Sequence, residues 1–194
     1  MSKLGNAKIL GGVGAILMLI GSFFGVLTIV GLIMVFIAVK YISEEAKEEN
    51  IFTNYLMYFV FSLVAIIAAL AIIFASIGGN ILNFGKIAQE MAEEAWQGST
   101  EGIIKFLAGI IVALIVAWIL MILASIYLRK SYNRIADYSK VNLFRTTGML
   151  YFIGAITLII FIGFIILLIA KILEIVSFFS LPEEFPKEVE TVKI

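Results

Sequence analysis

Apolar positions in this chain fall into four long runs, each closed off by charged residues. Ile9–Val39 holds 31 residues without a charge, Ile51–Ile77 holds 27, Phe106–Leu128 holds 23 and Thr146–Ala170 holds 25. A helix that crosses the hydrocarbon of a bilayer needs about 20 such residues at about 1.5 Å each. The last three runs each fit one span. The first does not: as one straight helix it would be about 46 Å long, and fitting it would need more tilt than the usual range of about 0–40°. Its middle reads Gly21-Ser22-Phe23-Phe24-Gly25. That break predicts a helical hairpin with Gly21 and Gly25 at its turn. The alternative is one tilted helix using Gly21 and Gly25 as a close-packing face.

The pattern predicts an all-α fold, a polytopic helical transmembrane bundle of about five spans, or four without the hairpin. The spans fall at about 4–20, 26–42, 53–77, 104–128 and 148–170, in a single domain 1–181 with a polar tail at 182–194. A Lys at mid-bilayer costs on the order of 3 kcal/mol, so the fifth span is expected to end near Lys171. Residues 172–181 then read as a helical extension at the interface, stopped by Pro182, with Lys171 and Glu174 spaced to pair.

Composition agrees with the pattern. Of 194 residues, 62% are apolar and 14% charged, against about 45–50% and about 25% in soluble domains. A water-soluble enzyme is excluded. The chain has no His and no Cys, which removes haem and iron–sulfur ligation, His/Cys zinc sites, disulfides and His-based triads. No cofactor is expected. Fourteen basic residues balance fourteen acidic ones, so no global field attracts nucleic acid.

The distribution of charge between loops matters more than its sum. Arg129, Lys130, Arg134, Lys140 and Arg145 face only Asp137 in the loop 129–145, while the loop 40–50 sets Lys40 and Lys47 against four glutamates. The basic loop places both loops in the cytoplasm by the positive-inside rule. With five spans the N-terminus lies inside and the C-terminus outside a cell membrane. The opposite charge of the two loops predicts that they approach each other. Anionic lipid headgroups are the other partner suited to the basic loop, and Tyr127, Tyr132 and Tyr138 suit an interface.

Small residues recur on single helix faces. Gly109, Ala113 and Ala117 lie four apart, and Ser62, Ala65 and Ala69 stripe the preceding span. Such faces let helices approach closely, within the bundle or between copies. Between these spans, Phe84, Ile87, Ala88, Met91 and Ala95 fall at helical spacing, which predicts an amphipathic helix on the outer surface. Its Glu90, Glu93 and Glu94 read as a solvated face rather than a metal site. No charge is expected deep in the membrane.

Several stretches carry a family resemblance. They are Leu10-Gly11-Gly12-Val13-Gly14-Ala15-Ile16-Leu17, Gly31-Leu32-Ile33 through Ile42, Ile51-Phe52-Thr53-Asn54, Leu143-Phe144-Arg145-Thr146-Thr147-Gly148 with Phe152-Ile153-Gly154-Ala155, and Phe178-Phe179-Ser180-Leu181-Pro182. From about residue 4 to 182 the chain resembles the prokaryotic, mainly archaeal, membrane family catalogued as domain of unknown function 996. The resemblance implies a multi-span membrane protein and carries over no activity, cofactor or catalytic residue.

The expected function is that of a non-enzymatic accessory or assembly protein, with membrane lipid and a membrane-protein partner or a second copy as its contacts. A small transporter or channel built on the Gly-rich hairpin is the alternative. A lipid-directed enzyme would have to draw on Tyr132, Asp137 and Tyr138, whose spacing singles out no reaction.

Overall fold

The computed structural model describes residues 2–21, 25–76 and 100–186, and among them the regular structure is helical. In hydrocarbon each backbone N–H and C=O must find a partner within the protein, and a helix does this inside one segment. The helices are α1 (Lys3–Gly21), α2 (Gly25–Ala46), α3 (Glu49–Ser76), α4 (Thr100–Ser139), α5 (Asn142–Thr157) and α6 (Ile162–Phe179), with a 3-10 turn at Leu158–Ile160 before α6. All six, α5 taken together with its 3-10 turn, are long and apolar enough to cross a membrane. The predicted surface helix within 80–98, with Glu90, Glu93 and Glu94, lies outside the described residues, as does the tail beyond residue 186.

The first run divides as its glycines predict, with α1 ending at Gly21 and α2 starting at Gly25. α1 and α2 then pack antiparallel, backbone against backbone. A Cβ on Gly31 would lie 2.5 Å from the Gly14 carbonyl oxygen and 2.7 Å from the Met18 nitrogen, and one on Gly21 would lie 2.3 Å from the Thr28 nitrogen. Only glycine fits these crossings. Gly25 has open space around it.

The last run departs from expectation. Instead of one span over 148–170, the chain turns back at Phe161, whose φ of 62° is left-handed. Two local causes act there. The Thr157 hydroxyl donates to the Ile153 carbonyl at 2.8 Å, a bond that competes with the helix ladder. Gly163, just past the turn, lets α6 approach the Gly154 carbonyl, 2.3 Å from where a Cβ would stand. α6 is therefore one continuous helix through Phe179, so residues 172–179 extend it as expected, and the chain turns at Ser180 just before Pro182. The Ser2 hydroxyl donates to the Glu183 carbonyl at 2.8 Å, so residues at the two ends of the described chain are neighbours, whereas the five-span reading sets them at opposite ends of the bundle.

The described residues cluster into two compact units. The first takes Met1–Phe59 and Ala124–Ile194. Its core joins Leu4, Val35, Ile42, Ile51, Tyr55, Leu128, Tyr132, Ile135, Phe144 and Phe178. Here α6 also packs on α1, with the Phe178 and Phe179 rings over Gly11 and Gly12. The second unit is Val60–Leu123. Its buried positions include the small residues Ala65, Gly109 and Ala113, whereas Leu63, Ile66, Ile67, Leu70, Ile111 and Leu114 are exposed. So much exposed Leu and Ile would form far too large a patch for water and suits a surface solvated by lipid.

Candidate functional site

The polar residues of the first unit fall into an interior cluster and a charged end. The interior cluster centres on Glu174 of α6, which is only 3% exposed. The Tyr132 hydroxyl of α4 donates to its Oε1 at 2.5 Å and the Tyr151 hydroxyl of α5 donates to its Oε2 at 2.6 Å. Each of its two oxygens therefore accepts one hydroxyl. Lys171, one turn earlier on α6 and about three-quarters covered, brings its ammonium to 4.0 Å from Oε2. One carboxylate therefore ties three helices together.

Aromatic rings seal this knot. Tyr132 stacks on Tyr55 with centroids 6.4 Å apart, and meets Phe144 at 5.5 Å edge-on. Phe178 meets Phe144 edge-on at 5.2 Å. Edge-to-face pairs of this kind contribute about 0.5–1.5 kcal/mol beyond their burial. A second buried polar pair lies one turn further along α6, where Thr147 and Ser177 hydroxyls are 3.1 Å apart. Ser177 gives its single proton to the Leu173 carbonyl at 2.7 Å, so Thr147 donates and Ser177 accepts. Ser131 of α4 donates to the Ile51 carbonyl of α3 at 2.7 Å.

At the charged end the two segments of opposite sign meet, as expected, but they are mostly helix rather than loop, 129–139 continuing α4 and 40–46 continuing α2. Arg134 lies 3.4 Å from Glu48, and the Tyr138 hydroxyl donates to the same carboxylate at 3.3 Å. Lys3 pairs with Glu44 at 2.8 Å and Arg145 pairs with Asp137. The Glu48 carboxyl is held below its ordinary range, first by the Asn50 side-chain amide, which donates at 2.6 Å, and then by the Asn50 backbone and the charge of Arg134, against an opposing effect of burial. Lys47 and Lys140 take left-handed φ values in the two turns at this end.

Sequence-predicted residues distribute as follows. Of the basic loop, Arg134 and Arg145 face acidic partners, Arg129 is half-buried over the Phe152 ring at 5.4 Å, Lys130 lies over Tyr127, and Lys140 is exposed. Ser62, Ala69 and Ala117 are half-buried beside the buried Ala65, Gly109 and Ala113. Tyr132, Asp137 and Tyr138 are not brought together: Tyr132 is fully buried while the other two are exposed.

Glu174 is expected from the sequence only as the pairing partner of Lys171, a pair that the structure keeps at 4.0 Å; its two tyrosine partners are not expected. Its helical signature was nonetheless present. Ala170, Glu174, Ser177, Phe178 and Leu181 repeat at three- and four-residue spacing, and all five are buried.

Among the described residues, six apolar helices with lipid-suited surfaces define a polytopic helical membrane protein. The family described as Protein of unknown function (DUF996) matches residues 27–172, and the chain belongs to it. An uncharacterized protein of Methanocaldococcus jannaschii is 33% identical over 190 residues, covering 96% of this chain and 97% of that one. No solved structure matches the chain.

Proposed function

We propose that this protein works by association in the cell membrane as an accessory or assembly protein, without turning over a substrate. The observation that carries the reading is the saturation of Glu174. Both of its oxygens are taken by tyrosine hydroxyls from neighbouring helices, so the interior acid is committed to holding α4, α5 and α6 together. Charges such as Lys130 and Lys140 stand exposed at one end, available to a partner or to anionic headgroups. That end carries Lys3, Lys8, Lys40, Lys47, Arg129, Lys130, Arg134, Lys140 and Arg145 of the chain's fourteen basic residues, which favours the cytoplasmic side. In this reading the small-residue faces of α3 and α4 serve helix packing.

Extraction in mild detergent tests the proposal. A partner or second copy should co-purify at fixed stoichiometry and be released by the exposed double reversal Lys130→Glu/Lys140→Glu. A lone monomer from every native extraction would refute it.

Transport is the second reading, and Glu174 is what favours it, because a carboxylate buried among the helices of a membrane protein can mark an ion path. The Gly-rich hairpin supports it less, as Gly14, Gly21 and Gly31 are occupied by helix contact. Flux in proteoliposomes that Glu174→Gln abolishes would favour transport over association.

A further inference from the structure

Three single residues with positive φ reverse the chain between helices, and one differs chemically from the others. Lys47 turns α2 into α3 and Lys140 turns α4 into α5, both among charged neighbours. Phe161 turns α5 into α6. It is 76% exposed and stacks only on Phe164 within its own turn, while Ile159, Ile160, Ile162 and Ile165 are exposed around it. From Leu158 to Ala170 the sequence has no charged, hydroxyl or amide side chain. The geometry is that of the two lysine turns, but the solvent it is built for is not water.

Charge fixes how deep this turn lies. Lys171 is ten residues past Phe161 on α6, about 15 Å by helical rise. On α5, Phe152 is nine residues before it, again roughly 14 Å, and there Arg129 of α4 lays its guanidinium over the ring. Two cations on different helices thus stand at one level. Long basic side chains hold their heads at the headgroup boundary. A hydrocarbon core is about 30 Å thick, so the turn ends near its middle. A full crossing would require both cations to sit within the core.

We propose that α5 and α6 form a re-entrant hairpin that enters from the charged end and returns to it. Its Phe161 tip and flanking isoleucines bind the acyl chains of the bilayer interior. The backbone at the tip suits this. The Phe161 N–H donates to the Leu158 carbonyl at 3.0 Å and the Phe164 N–H donates to the Phe161 carbonyl at 3.2 Å, so the reversal leaves few polar groups facing lipid.

The absence of native cysteine makes the test direct. Phe161→Cys is reconstituted and treated with a membrane-impermeant maleimide from either side, with Asn142→Cys in the exposed α4–α5 turn as the accessible reference. Phe161→Cys should label at least about tenfold less than Asn142→Cys from both sides and fully once the membrane is dissolved. A spin label there should show the oxygen-rich, nickel-poor environment of the bilayer centre. Because Phe161 has a left-handed backbone, Ile165→Cys on the helix provides a second reporter should the first variant misfold. Labelling from the side opposite Asn142→Cys would mean a full crossing, and labelling from the same side a water-exposed loop. Either overturns the proposal.

Discussion

Removing the Tyr151 hydroxyl is the sharpest way to ask what Glu174 does. In Tyr151→Phe the ring stays while the 2.6 Å bond to Oε2 is lost. Hydrogen bonds between membrane helices average only about 0.6 kcal/mol, but a bond to a charged acceptor contributes about 1.5–3 kcal/mol. Glu174 is buried at 3% exposure and the nearby ammonium is 4.0 Å away, so water does not replace the lost donor and the larger range applies. Tyr132→Phe should cost a similar amount, and the double variant about 3–5 kcal/mol, since the buried carboxylate then keeps only the Lys171 ammonium at 4.0 Å. Replacing Glu174 by Leu in that double variant removes the charge and its orphaned acceptor oxygens together, and should recover most of the loss. Equilibrium unfolding in mixed micelles reads all four. Should each tyrosine variant stay within about 0.3 kcal/mol of the parent, less than the average neutral bond, the carboxylate would not be what binds these three helices.

Two further outcomes follow from local geometry. Gly31→Ala puts a methyl 2.5 Å from the Gly14 carbonyl, and since backbone cannot step aside as a side chain can, it should cost at least about 1–3 kcal/mol; Gly25→Ala, with open space, should change stability by less than about 0.5 kcal/mol, and equal effects in the same unfolding assay would contradict the backbone contact. Glu48 has its folded carboxyl lowered by Asn50 and Arg134, so its stabilising contribution is present above the unfolded pKa and lost as pH falls through the folded value. The stability gap between the parent and Glu48→Gln should therefore close on acidification from neutral pH, and a gap constant down to pH of about 3 would rule the linkage out.

What could be read from the chain alone was governed by contrast. The charge-bounded runs announce α3 and α4, and Gly21 and Gly25 announce the first hairpin, because each feature breaks an apolar background. The turn at Phe161 has no such contrast. Its flanks are as oily as the helices it joins, and a left-handed phenylalanine is not a residue choice that marks a turn. Missing that turn shifted everything after it, including where Glu183 falls relative to Ser2. Glu174 was hidden for a related reason: Lys171 three residues earlier makes the pair look like a surface contact, and only the partners Tyr132 and Tyr151, far away in sequence, turn it into a core residue.

The seating of Phe178 on Gly11 has a bearing on biosynthesis. The glycine face of α1 leaves the ribosome 167 positions ahead of the ring that covers it. At about 5–20 residues per second, that interval is roughly 8–33 s. For that long the first hairpin must hold itself together through its Gly14–Gly31 crossing while lipid or an insertion factor occupies the vacant groove. Closure of the first unit thus waits for α6, and a nascent chain stalled before α6 should expose that groove to cross-linking.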